Sequence, residues 1–267
     1  MCENSQHIVV GADRMFTAGP PLNVEFEPPV SKIEKIGTSC LALASGQTVY
    51  ATEVVARTRN GLDSNQSLKV LSVTLAMKEI YSAFRDEKIE EQVIRPSLGP
   101  DFVSFRSRGG TIPQYLQPQP GIYQQVFIQS QQFNLGLDLM IVGIDETGSH
   151  IYFLGHPGTL VNLDKLGYNS IGSGGVHAAV RFYLGGQSPK SSLLETLFSV
   201  YAAKRASEVA PGVGRETELA IISKDKVWMC SEPLMKTLEE IHREMGTQAK
   251  PNLEKVKKSY ESERQAD

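Results

Sequence analysis

The 267-residue sequence predicts an α+β fold arranged as a four-layer αββα sandwich, two β-sheets face to face with a helix pair outside each. Two observations carry that expectation. Strand-like and helix-like runs come in blocks, in the order strands, helix pair, strands, helix pair, strands, where a doubly wound sheet would alternate them singly. The chain is also long enough to bury a sizeable core, and its 40% apolar and 21% charged residues are those of a globular protein in water.

The β-branched run IVVGA (8–12) reads as a strand that ends at an acid–base pair, Asp13-Arg14. The Pro- and Gly-containing stretch AGPPLNVEFEPPV (18–30) reads as a loop. SKIEKI and TSCLALAS, separated by Gly37-Thr38 and closed by Gly46, read as a strand pair. Val49, Val54, Val55 and Leu62 suggest a helix from Thr48 to Leu62, and Leu68, Leu71, Leu75, Ile80 and Phe84 suggest a longer one over 67–93. Residues 94–119, rich in Pro, Gly, Ser and Arg, read as an excursion loop, after which a helix resumes near 122–132. LDLMIVGID (137–145), HIYFLG (150–155) and YNSIGSG (168–174) read as strands. Helices follow at 176–184 and 191–210, then the strand pair TELAIIS and KVWMCS within 217–231, and a helix at 232–245. The expected organisation is one domain over 1–245 and a charged, solvated tail over 246–267.

Several functions are disfavoured at once. A net charge of −3 offers no basic surface for nucleic acid or an anionic membrane. No run of eighteen apolar residues marks a transmembrane helix, and the start lacks the pattern of a secretory signal, so a cytoplasmic protein is expected. Cys2, Cys40 and Cys230 are odd in number and widely scattered, which fits reduced thiols better than a disulfide framework. No cysteines or histidines have metal-ligand spacing; His150, His156, His177 and His242 read as structural, and neither metal nor cofactor is expected.

Three charged residues stand at the ends of core strands: Asp13, Lys32 and Glu218. Taken singly they are ordinary rim residues. Gly46 lies at a strand-to-helix turn, where an outward backbone N–H can stabilise an oxyanion, although turn glycines are common. IGSGG (171–175) joins a strand to a helix and could hold an anion, but neither GxGxxG nor GxxxxGK[ST] is present. Ser173 and His177 have nucleophile–base spacing without the GxSxG elbow.

As an ordered set these signals are more specific. Strand-ADR, loop, KIEKI, strand, SG, helix pair, DLMIVGID, IGSG, helix pair, TELAII: the chain over residues 8–230 resembles the proteasome β-subunits and their bacterial relatives, which are N-terminal nucleophile hydrolases. The resemblance implies that Lys32 lies beside the nucleophile and lowers its pKa, that Asp13 pairs with Lys32, and that the Gly46 N–H forms an oxyanion hole. It matches Ser173 to a serine near the N-terminal amine, and Glu218 to an aspartate that hydrogen-bonds near that amine; the longer side chain departs from the pattern. It further implies amide-bond hydrolysis of peptides by a threonine nucleophile whose α-amine is the base, a homo-oligomer, and no cofactor.

The nucleophile itself is not where the family has it. ENSQ reads as a hairpin turn, which puts Cys2 opposite His7 or Ile8. The four or five residues from there to Asp13 span roughly 15 Å, so Cys2 is expected to be a strand-end residue. The chain as it stands is expected to be inactive, because it lacks the first strand of the family it resembles and the nucleophile with it, through either a downstream start or a genuine pseudo-enzyme. Two other functions share the fold: a non-catalytic assembly or binding subunit, and an acylase of small amides.

Overall fold

Alternation of side chains along two strands separates the protein's two main cores. In the computed structural model, which describes residues 1–18, 24–28, 30–62, 69–98, 120–224 and 226–248, strand β5 (Cys40–Gly46) pairs antiparallel with β6 (Leu137–Asp145). Leu41 and Leu43 of β5 share a face with Met140 and Val142 of β6, while Cys40 and Ala42 share the other with Leu139 and Ile141. The two-residue period therefore gives one sheet two buried faces.

That sheet runs β4-β5-β6-β7-β8, with β4 (Ile33–Lys35), β7 (Gly148–Gly155) and β8 (Thr159–Asn162), all antiparallel. A second sheet runs β1-β9-β10, from β1 (Ile8–Asp13), β9 (Thr217–Ser223) and β10 (Lys226–Met229). A small third pairs β2 (Phe16–Ala18) with β3 (Val24–Phe26).

Ile8 and Val10 of β1 and Ala220 and Ile222 of β9 join Leu41, Leu43, Met140 and Val142 in a core between the two larger sheets. The opposite face of the five-stranded sheet packs on two helices, α1 (Thr48–Gly61) and α2 (Val70–Ile89), through Val54, Val55, Val73, Met77, Tyr81 and Phe84. Each such side chain contributes about 1.5–3 kcal/mol by leaving water. Helix α2 continues through a π-turn (Glu90–Ile94) into α3 (Arg95–Leu98), and α4 (Pro120–Gln132) packs on this extension.

Helices α5 (Gly175–Leu184) and α6 (Leu193–Ser207) pack together, and α6 lies on β1 and β9. A capping box starts α6: Ser192 Oγ accepts the Glu195 N–H at 3.2 Å, and the Glu195 carboxylate accepts the Ser192 N–H at 2.9 Å. The chain divides into two compact units, Met1–Met229 and Cys230–Asp267. The described part of the second unit centres on the last helix, α7 (Glu232–Gln248). No helix among the described residues is long and apolar enough to cross a membrane.

The architecture is thus mixed α+β, with corrections to its details. Residues 168–174 form no strand: Gly172 takes φ +87°, outside the extended region, and Ser170 Oγ donates to Gly175 O at 2.6 Å. The strand after β7 is instead β8, at Thr159–Asn162. The stretch 18–30 contains β3, and helix persists through Leu98 where a loop was expected from residue 94; residues 99–119 and 249–267 lie outside the described residues. Val49, Leu71 and Leu75 are exposed. The buried stripe of α2 is Val70, Val73, Met77, Tyr81 and Phe84, rotated from the leucines that suggested the helix.

Candidate active site

The chain enters β1 through a tight hairpin. Glu3, Asn4 and Ser5 all take positive φ, at 50°, 55° and 67°, and Cys2 bridges to His7. The ENSQ turn and the strand-end place of Cys2 are as the sequence indicates. Cys2 is fully buried, and burial raises its thiol pKa.

At the far end of β1, Asp13 meets Lys32. The Lys32 ammonium donates to Asp13 Oδ1 at 2.6 Å, with both side chains largely buried. The same carboxylate oxygen accepts the Met15 N–H at 2.7 Å, which fixes its direction. The ammonium also lies 5.7 Å from the centroid of Phe16, whose ring stacks on Phe26 across the β2–β3 pair.

Lys32 is held at its backbone as well. Glu218 Oε1 accepts the Lys32 N–H at 3.0 Å and the Ser31 hydroxyl at 2.7 Å, and Oε2 lies 3.5 Å from Arg14 Nε. Glu218 is only 5% exposed. It is not among the residues lining the adjacent cavity and acts behind Lys32, through that residue's main chain.

Asp13, Lys32, Gly46 and Ser173 all line one cavity of about 990 Å³. Gly46 ends β5 at φ +89°, and a Cβ there would stand 1.9 Å from Gly136 O, so only glycine fits. The next N–H, of Gln47, donates to Gly136 O at 2.8 Å. Ser173 is exposed in the turn between Gly172 and Gly174. A Cβ on Gly172 would press on Ser45, at 3.2 Å, and one on Gly174 would strike Ser207 of α6, at 2.6 Å, so these glycines let the turn lie against both elements.

Lys204, which the sequence reading passed over, is buried on α6 and lines the same cavity. Its ammonium donates to Glu208 Oε1 at 2.6 Å, Gly214 O at 2.8 Å and Arg215 O at 2.9 Å, so all three protons are used. Burial lowers its pKa, and Glu208 opposes the shift. The signal was present in SVYAAKRAS: Lys204 follows the buried Val200 by four residues and precedes the buried Ser207 by three, on the core face of the helix.

His150 belongs to a separate network. Its Nδ1 lies 2.8 Å from Asp164 Oδ2 and its Nε2 lies 2.7 Å from Thr147 Oγ1, well along the β6–β7 hairpin. Nearby Asp145 accepts the Val70 N–H at 2.9 Å and so caps α2. Although burial pushes the Asp145 carboxyl up, hydrogen bonds from Thr147 and Val70 bring it down to about 2. Among the described residues no group of three or more His, Cys, Asp or Glu side chains is placed to hold a metal ion.

Neither the protein-family models nor the curated proteins compared with this chain match it.

Proposed function

We propose that the chain is a proteasome-type N-terminal nucleophile hydrolase, an αββα threonine peptidase that cleaves peptide amide bonds and works as a cytoplasmic homo-oligomer. One observation carries the reading: the Lys32 ammonium, 2.6 Å from Asp13 and pinned through its backbone by Glu218, lines the same cavity as the glycine-only Gly46. Two packed sheets, one covered by α1 and α2 and the other by α6 with α5, support the four-layer arrangement. Three free cysteines fit a reducing compartment.

In this reading the Lys32 ammonium stabilises the alkoxide of the attacking hydroxyl, Asp13 orients it, and Gly46 faces the developing oxyanion. The nucleophile required is an N-terminal threonine, which is not residue 1 of this sequence. The test is to express the gene with the codons ahead of Met1, identify the mature N-terminus by mass spectrometry, and follow fluorogenic peptides and acyl-amides. Peptide turnover that falls by about 10²-fold or more in Lys32→Ala is expected. A threonine-headed protein that turns over nothing would point to a non-catalytic subunit, and turnover of acyl-amides alone to an acylase.

Self-association has its own support. Helix α5 exposes Val176, Val180, Tyr183 and Leu184, a stripe at i, i+4, i+7 and i+8, and Leu194 at the start of α6 is exposed too. Tyr183→Glu combined with Leu184→Glu is expected to reduce the sedimenting mass. An unchanged mass counts against this face as the contact.

A further inference from the structure

The charged side chains lining the cavity are Asp13, Glu25, Lys32, Asp138 and Lys204, and Met1, whose buried ammonium donates to Gly167 O at 2.8 Å, lines it as well. Asp13 and Lys32 neutralise one another, and Lys204 is neutralised by Glu208. Asp138 and Glu25 have no ion-pair or hydrogen-bond partner among the described residues. Set against the single Met1 ammonium, these two carboxylates leave the cavity wall with a net negative charge.

Asp138 is the more deeply placed of the two. It lies opposite Ser45 in the β5–β6 register, two residues before Met140 on the face that looks into the space between the sheets. Gly155, at the end of β7, makes room for it: a Cβ there would stand 2.7 Å from Asp138 Oδ1. Burial pushes the Asp138 carboxyl above the ordinary carboxylate range, and no neighbouring cation pulls it back. A half-buried carboxylate without a counter-charge, beside a backbone that leaves it space, is built to receive a cation from outside the chain.

We infer that Asp138 makes the cavity selective for substrates that carry an organic cation, an ammonium or guanidinium group, near the amide to be cleaved. The inference rests on the amide-hydrolase reading of the same cavity and adds to it a substrate class, peptides with a basic side chain. Glu25, exposed on β3 at the cavity's edge, adds to the attraction without specifying the position of the cation. A carboxylate that both pairs and hydrogen-bonds with the cation strengthens binding by about tenfold or more over an uncharged isostere.

The test separates binding from turnover. Nα-acetyl-arginine amide and its citrulline counterpart, equal in shape and differing in charge, are titrated against the protein by calorimetry. The arginine compound is expected to bind about tenfold more tightly, and Asp138→Asn to bring the two together. Equal affinities for the unaltered protein overturn the inference without any variant, so a misfolded Asp138→Asn would not shield it. A preference that survives Asp138→Asn, or that disappears in Glu25→Gln instead, overturns it as well. Arginine preference in a threonine-headed protein that hydrolyses no substrate would leave the cation site standing and remove the hydrolase reading. Hydrolysis without the preference would do the reverse.

Discussion

Replacing Gly46 by alanine perturbs the site at its most constrained backbone position. The residue sits at φ +89°, where an L side chain costs about 1–2 kcal/mol. Its new Cβ would lie 1.9 Å from Gly136 O, and real contacts of this kind do not fall below 3.0 Å. One backbone must therefore retreat by about an ångström, which also strains the 2.8 Å hydrogen bond from Gln47 N–H to Gly136 O, worth about 1 kcal/mol. Together these suggest a loss of about 3 kcal/mol, or a fall in Tm of roughly 6–12 °C for a unit of this size. Differential scanning calorimetry measures the fall directly, and the same variant should lose peptide turnover if Gly46 faces the oxyanion. A Tm within about 2 °C of the unaltered protein would refute the steric reasoning.

Lys204→Met removes three donated hydrogen bonds and leaves Glu208 with Arg205 alone, 3.0 Å away. A loss of about 3 kcal/mol is expected, read as a lower urea midpoint with an unchanged slope; an unshifted midpoint would contradict it. Asp145 has its folded pKa depressed from 3.8 to about 2, so its contribution to stability is complete above about pH 4 and is lost as pH falls toward 2. Asp145→Asn should flatten that acid limb in melts taken between pH 5 and pH 2, and an unaltered limb would place the acid sensitivity in other carboxylates.

Much of this was legible where local pattern and tertiary environment agree. The run IVVGA has a strand's composition, and its acid–base ending marks where the chain leaves the core, so β1 and Asp13 could be placed from the sequence. Lys32 and Gly46 stood out as a pair only through the family resemblance, and the antiparallel β4–β5 pairing brings them to the same end of the sheet. The stripe of α2 was misplaced because leucine weighs more heavily than valine, methionine or tyrosine in an apolar pattern, while the sheet selects the face that contains Tyr81 and Phe84. The turn at 168–174 looked extended because Tyr168 and Ile171 are strand-forming types, and the positive φ of Gly172 shows only in three dimensions. β8 is short and mostly exposed, so it lacks the alternation that reveals a strand. The partners of Lys204 are carbonyls and a carboxylate whose convergence no local pattern encodes.

The sequence neighbours Asp13 and Arg14 serve opposite ends of one lysine. Asp13 receives the Lys32 ammonium, while Arg14 stands 3.5 Å from the carboxylate of Glu218, which receives the Lys32 backbone N–H. Arg14 Nε makes no hydrogen bond there, so the guanidinium balances charge more than it fixes geometry. Glu218, only 5% exposed, has its buried oxygens met by that charge and by the Ser31 hydroxyl, and without Glu218 the segment leading into β4 would lose two of its anchors. The acid–base pair at the end of β1 thus does more than terminate a strand. Its acid aims the lysine side chain, and its base supports the residue that holds the lysine's main chain, which is why two adjacent charges of opposite sign suit this position better than either charge alone.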